Sequence, residues 1–367
     1  MSHTAQHFRH PASGFSLVEI MIGLVLGMLG IIVIMQVFTI VEAQKRTTTG
    51  SGDAQSGGAI ALYSVQRDIQ QAGDGISTLG LIGCDVELRS GVTLPAMAPV
   101  TVNHASIPAG DANTDTLLVV YGSSNSPPEG NSITSQTGSN YAVQAYASFS
   151  AGDLVIAEPA ARPVPCSGAN SLILTPITAV GNPNVTVQTS AAGMTGGTLY
   201  TLGPAPVVRA YAIRGGNLTV CDYTVNDCSL AANTGNAAVW QPVANNIVSL
   251  RAQYGRDTNA IPMNGIVDTY DQTTPTTACG WIRIPTLRLV LVARNDQPNK
   301  KVVTTNVPSW SGTTANNPSG VTSTAVAINL SSTTVPANFT WQNYRYKVFE
   351  TTVPIQNVEL LGVQAGC

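Results

Sequence analysis

The stretch Gly14-Phe15-Ser16-Leu17-Val18-Glu19, continuing into the apolar run from Ile20 to Val41, is the part of the chain around which the rest is organised. As a helix, residues 15–41 are long enough to cross a hydrocarbon layer about 30 Å thick. The run holds one ionisable side chain. Glu19 lies a single helical turn from Phe15, and a carboxylate in lipid costs about 2.5 to 3.5 kcal/mol near a helix centre and less toward its end. Such a charge calls for a cationic partner. Cleavage after Gly14 would create an α-amine on Phe15, cationic near neutrality, that a neighbouring copy of the helix could offer to Glu19.

These residues resemble the signature of type IV prepilins and pseudopilins: a short polar, basic leader ending in Gly, then Phe, a nearby Glu and a long apolar helix. The resemblance implies that a prepilin peptidase cuts after Gly14 and N-methylates Phe15, and that Glu19 aligns the subunit in a growing filament. It also implies an N-in orientation. Charge alone does not set one, because Arg9 precedes the span while Lys45 and Arg46 follow it. A secretory signal peptide does not fit, since its apolar core is only about 7 to 15 residues and ends in a small-x-small site.

Within the span, Gly23, Gly27 and Gly30 offer small residues at which helix backbones can approach closely, as in a filament core. No proline falls between Phe15 and Pro95, so a proline kink is excluded. Residues 47–58 are rich in Thr, Ser and Gly, poor helix formers that predict fraying. Helical spacing then returns at Leu62, Val65, Ile69 and Ala72, with Arg67, Asp68, Gln70 and Gln71 on the polar positions, and Gly73 and Gly75 end it.

The remainder reads as β-structure. Short β-branched runs separated by Gly, Pro, Thr, Ser and Asn predict strands near residues 116–121, 154–157, 172–175, 207–214, 217–221, 247–254, 285–294 and 344–353. Gly215-Gly216 supplies the two positive-φ residues of a tight hairpin between two of them. Val207, Arg209, Tyr211 and Ile213 share one face of the first hairpin strand, and Leu287, Leu289, Leu291 and Ala293 form the buried face of another strand. Residues 122–140, 182–197 and 304–338 read as long polar loops.

The segment Leu62-Tyr63-Ser64-Val65-Gln66-Arg67-Asp68-Ile69-Gln70-Gln71-Ala72-Gly73, followed by Gly83-Cys84, and the segment Tyr344–Asn357 are similar to the corresponding parts of the PilW class of minor pilins. That resemblance implies an α+β, pilin-like fold: a long N-terminal helix packed on an antiparallel β-rich periplasmic head. The expected parts are a cleaved leader at 1–14, a transmembrane half-helix at 15–41, an amphipathic half at 42–73 and a disulfide-bonded head at 74–367. It implies an inner-membrane protein, later at the pilus tip, whose partners are the prepilin peptidase, other minor pilins, the major pilin, the assembly machinery and a tip adhesin. A type II secretion pseudopilin of the J class is the alternative, and a tethered adhesin or hydrolase a more distant one.

The chemistry-bearing residues point away from catalysis. Of four histidines, His3, His7 and His10 fall in the leader, leaving His104 alone for a triad or zinc site. A net charge of -3 gives no basic face for nucleic acid. Six cysteines, at 84, 166, 221, 228, 279 and 367, with no Cys-x-x-Cys spacing, predict disulfides in an oxidising compartment. Cys221 and Cys228 bracket a short loop and form the favoured pair, while Cys84, Cys166, Cys279 and Cys367 leave three pairings open. Asp257, Asn259, Asn264, Asp268 and Asp271 place oxygen donors in one loop and raise the question of calcium, although residues 260–263 break the EF-hand spacing. Trp240, Trp281, Trp310 and Trp341 are scattered and read as core or packing residues rather than a ligand platform.

Overall fold

The computed structural model describes residues 14, 16–124, 126–315 and 321–367, and it divides into two compact units, Met1–Gly52 and Asp53–Cys367. One helix runs from Leu17 to Gln71. It includes residues 47–58, where fraying was expected. Local propensity is overridden there by side-chain and packing terms: the Thr48 hydroxyl bonds the Gln44 carbonyl at 3.0 Å, and in the second unit a side chain at Gly58 would collide with the Phe349 ring.

The expectation of a pilin-like α+β fold is corrected by the sheets. The described residues are mostly β, in three sheets, and the largest closes on itself. Its closed part runs Leu172–Gly181, Leu154–Glu158, Thr198–Gly203, Asn131–Thr137, Asn140–Val143 and Asn184–Val187, then returns to Leu172–Gly181. Every pairing around that ring is antiparallel, so this is a six-stranded antiparallel barrel, not a simple head sheet under a helix. Closure removes free edges. Strands Val86–Arg89 and Val92–Leu94 extend one wall of it.

The barrel was missed because its strands carry a weak apolar signal. Asn131–Thr137 contains one aliphatic residue in seven, Ile133, and it lies within a stretch read as loop. Asn184–Val187 is likewise inside an expected loop. A small barrel needs only one inward residue per pleat. Ile133, Tyr141, Val143, Val155, Ile177, Val185, Val187 and Leu199 supply its interior, with Phe149 and Met194 from connecting segments.

The second sheet runs Gln241–Ala244, Asn217–Asp222, Val207–Arg214, Leu117–Tyr121 and Val100–Val102. Its central hairpin pairs Arg214 with Asn217 across Gly215 and Gly216, both at positive φ. The third sheet runs Thr322–Ser323, Thr269–Asp271, Ile247–Arg256, Thr286–Arg294 and Tyr346–Pro354. Leu287, Leu289, Leu291 and Ala293 join Ala61, Val65, Ile69 and Ala72 of the helix in the largest core. The opposite face of that strand is also buried: Val290 and Val292 pack under Trp310, Val326, Ile328 and Leu330.

All six cysteines are paired, as Cys84–Cys166, Cys221–Cys228 and Cys279–Cys367. The first joins the approach to the barrel to its 159–171 connection, the second closes the loop after the hairpin, and the third fastens Cys367 to the helix Ala278–Ile282.

Candidate functional site

In the first unit, Leu17–Glu42 is the one described helix long and apolar enough to cross a membrane, and its apolar side chains from Leu17 to Val41 are exposed. Water is a poor solvent for such a surface, which is compatible with a membrane anchor. Glu19 and Gly14 are exposed, and Ser16 accepts the first helical bonds from Glu19 and Ile20. An added Cβ at Gly23, Gly27 or Gly30 meets no atom within 4 Å, so these glycines lie along open backbone. Phe15 lies outside the described residues.

In the second unit, the helix is fastened by a buried carboxylate. Asp68 is 2% exposed. It accepts hydrogen bonds from the Tyr121 hydroxyl at 3.0 Å and the Tyr211 hydroxyl at 2.7 Å, and pairs with the Arg209 guanidinium at 3.0 Å. Thus one helical side chain holds two adjacent strands. Burial and then the Asp68 charge push the Tyr121 hydroxyl up to about 12, and the same causes raise Tyr211. For Arg209 burial opposes the charge, but the bond to Asp68 and its charge outweigh it and the pKa is raised. Both phenols stay protonated donors.

Sequence reasoning placed Asp68 on the polar face of the helix. The available signal was Arg209, a cation on a strand face shared with Val207, Tyr211 and Ile213. A cation half-buried beside an apolar strand face calls for an anion near it.

The loop at Asp257 is held by hydrogen bonds and by the Arg283 guanidinium, 3.8 Å from the Asp257 carboxylate. Asp257 accepts backbone N–H groups of Asn259, Asn264 and Gly265 at 3.0, 2.6 and 2.7 Å. Burial raises its pKa, but these donors outweigh burial and hold it below the usual carboxylate range. Asp268 accepts from the Thr258 N–H and the Asn259 amide, and Asp271 pairs with Arg256 at 2.8 Å. The Asn264 side-chain oxygen accepts the Ile266 N–H. The Asn259 amide nitrogen is shared by Asp257 Oδ1 at 3.4 Å and Asp268 Oδ2 at 3.0 Å, while Asp271 is turned to Arg256. No group of three His, Cys, Asp or Glu suited to a metal occurs among the described residues.

His104 is 6% exposed, with Nε2 2.7 Å from the Pro95 carbonyl and Nδ1 accepting the Ser106 N–H. Both nitrogens are engaged by backbone. Trp240, Trp281 and Trp310 are buried and Trp341 half-buried.

Residues 215–357 match the family model described as PilW, type IV pilus-assembly protein W. The match ties the chain to the type IV pilus assembly system. It takes in the whole third sheet and the second strand of the central hairpin, and leaves the barrel outside. The segment Tyr344–Asn357, on which a PilW resemblance rests in part, lies within it; Leu62–Gly73 does not. No curated protein and no solved structure matches the chain.

Proposed function

We propose that this protein is a minor type IV pilin of the PilW class that joins other minor pilins in a tip complex priming pilus assembly. The observation that carries this reading is the match of residues 215–357 to a pilus-assembly family. The exposed apolar run Leu17–Val41, with Glu19 its one carboxylate, adds to it. On this reading the work is structural and no residue is catalytic. A prepilin peptidase cuts after Gly14 and methylates Phe15, and the subunit waits in the inner membrane with a periplasmic, disulfide-bonded domain. It then enters a fibre with the major pilin, where Glu19 meets a neighbour's α-amine and the Gly23 to Gly30 stripe packs on other helices. A large adhesin is the partner expected beyond the tip.

Intact mass of the membrane-extracted protein, with pilus counts in wild-type, deletion and Glu19→Ala strains, tests the proposal. A chain starting at methylated Phe15, and few or no pili in both mutant strains, is the expected result. A chain starting at Met1 with normal piliation in both mutants refutes it. Lost protein secretion with pili intact in the deletion strain assigns the chain to a type II secretion system instead.

A further inference from the structure

The barrel has a mouth that the assembly reading leaves without a role. Register places the start of Leu172–Gly181 and Asn140–Val143 at the same end as the finish of Leu154–Glu158 and Asn184–Val187. There the 159–171 and 189–194 segments surround a cavity of about 170 Å³. That is below the roughly 300 Å³ at which pockets for drug-sized molecules begin, and leaves room for one ring-sized unit.

Its lining is specific in what it offers. Tyr141, Asn170, Ser171, Thr175 and Thr189 contribute hydroxyl and amide groups, and Met194 with several alanines and prolines contributes apolar surface. No Asp, Glu, Lys, Arg or His side chain lines it. Tyr141 is 1% exposed, yet its hydroxyl has no hydrogen-bond partner among the described residues. Tyr141 lines the cavity, so this unpartnered hydroxyl belongs to a residue of its wall. Burial raises its pKa, so it remains a neutral donor at physiological pH.

Buried hydroxyls are ordinarily paired, and one left unpaired in a cavity wall marks a place where a ligand group can complete the bond. Of the other polar groups, Ser171 donates to the Gly168 carbonyl and keeps acceptor capacity, while Thr175 accepts the Thr189 N–H and keeps its proton to give. The lining mixes hydroxyl and amide groups with apolar side chains and, among the described residues, brings no charged side chain to the cavity. Hydroxyl groups on a ring with apolar faces match that pattern.

We propose that this mouth of the barrel binds a single neutral sugar residue, such as the terminal unit of a glycan, with the Tyr141 hydroxyl as a central donor. The inference is independent of the assembly role.

The test is saturation-transfer NMR and calorimetry on the full chain in a non-sugar detergent, with methyl glucoside, methyl galactoside, N-acetylglucosamine and, as an acidic control, sialic acid. At least one neutral sugar should bind saturably with Kd on the order of 1 mM. Tyr141→Phe should weaken it about tenfold or more, and Ala192→Phe, which fills the cavity from an exposed position, should abolish it. Thermal unfolding identifies either variant that fails to fold, and the other then decides. Failure of all neutral sugars to saturate, tighter binding of sialic acid, or equal binding by folded Ala192→Phe overturns the proposal.

Discussion

At the scale of single residues, the energetic weight falls on groups whose partners lie far away in sequence. Asp68 satisfies Tyr121, Tyr211 and Arg209 together, and Asp68→Ala would leave two hydroxyls unpaired against the core beside a partly exposed guanidinium. Asp68 is buried but the Arg209 side chain is 35% exposed, so the cost is smaller than for a sealed pair, about 1 to 3 kcal/mol. Urea unfolding of Asp68→Ala should show a loss of that order; a loss below about 1 kcal/mol means water replaces the carboxylate without penalty. His104 makes a pH prediction. Burial depresses its pKa, against the Pro95 carbonyl and the Asp85 charge, so the unfolded chain takes up its proton first on acidification. Stability from this group is complete above the ordinary value of 6.5 and falls as pH drops from there toward the depressed folded value. Asp74, Asp115 and Glu158 have raised values and act with the opposite sign at lower pH, which is why a variant comparison is needed. Between about pH 7.5 and 5.5, wild type should lose stability faster than His104→Gln, by up to about 1.4 kcal/mol per pH unit. Parallel profiles for the two proteins would rule His104 out.

At the scale of elements, legibility followed local pattern. The hairpin at Gly215-Gly216 and the strand Val207–Arg214 were readable because alternation and positive-φ glycines act within a few residues. The barrel was not, since polar residues fill the outward positions of Asn131–Thr137 and Asn184–Val187 and closure depends on Ile177 meeting Val187 across a hairpin that reads as loop. Among candidate site residues, the apolar span and Glu19 stood out by composition, whereas Asp68 and Tyr141 acquire their roles only from strands distant in sequence. The cysteines divide the same way. Cys221 and Cys228 are separated by 7 positions, so proximity is built in, but 82 and 88 positions separate the other pairs. Chain entropy makes those long closures the stronger ones, about 4.5 kcal/mol against about 2.5. Cys84→Ser with Cys166→Ser should therefore lower the unfolding temperature clearly more than Cys221→Ser with Cys228→Ser. Equal shifts would show that the unfolded chain is already held compact near Cys84.

At the scale of the molecule, the second unit holds several cores rather than one. The barrel interior is a cluster separate from the core that joins the helix to the second and third sheets, and the two meet only through barrel walls whose outer faces, at Ile156, Leu174 and Tyr200, belong to a third cluster. A division of this kind predicts sub-global opening, because disrupting one cluster need not expose the other. Ile177→Ala removes a buried side chain from the barrel interior, and Leu289→Ala removes one from the helix-facing core. Each should cost about 2 to 5 kcal/mol locally. Hydrogen exchange read by mass spectrometry should show Ile177→Ala accelerating residues 131–187 while 247–256 and 286–294 keep their protection, and Leu289→Ala doing the reverse. If either variant accelerates both regions equally, the unit opens cooperatively and the barrel has no independent stability. Separate opening would let the region matched by the pilus-assembly family stay folded while the barrel changes. That is the physical condition for a chain to keep one assembly surface and carry a different ligand site beside it.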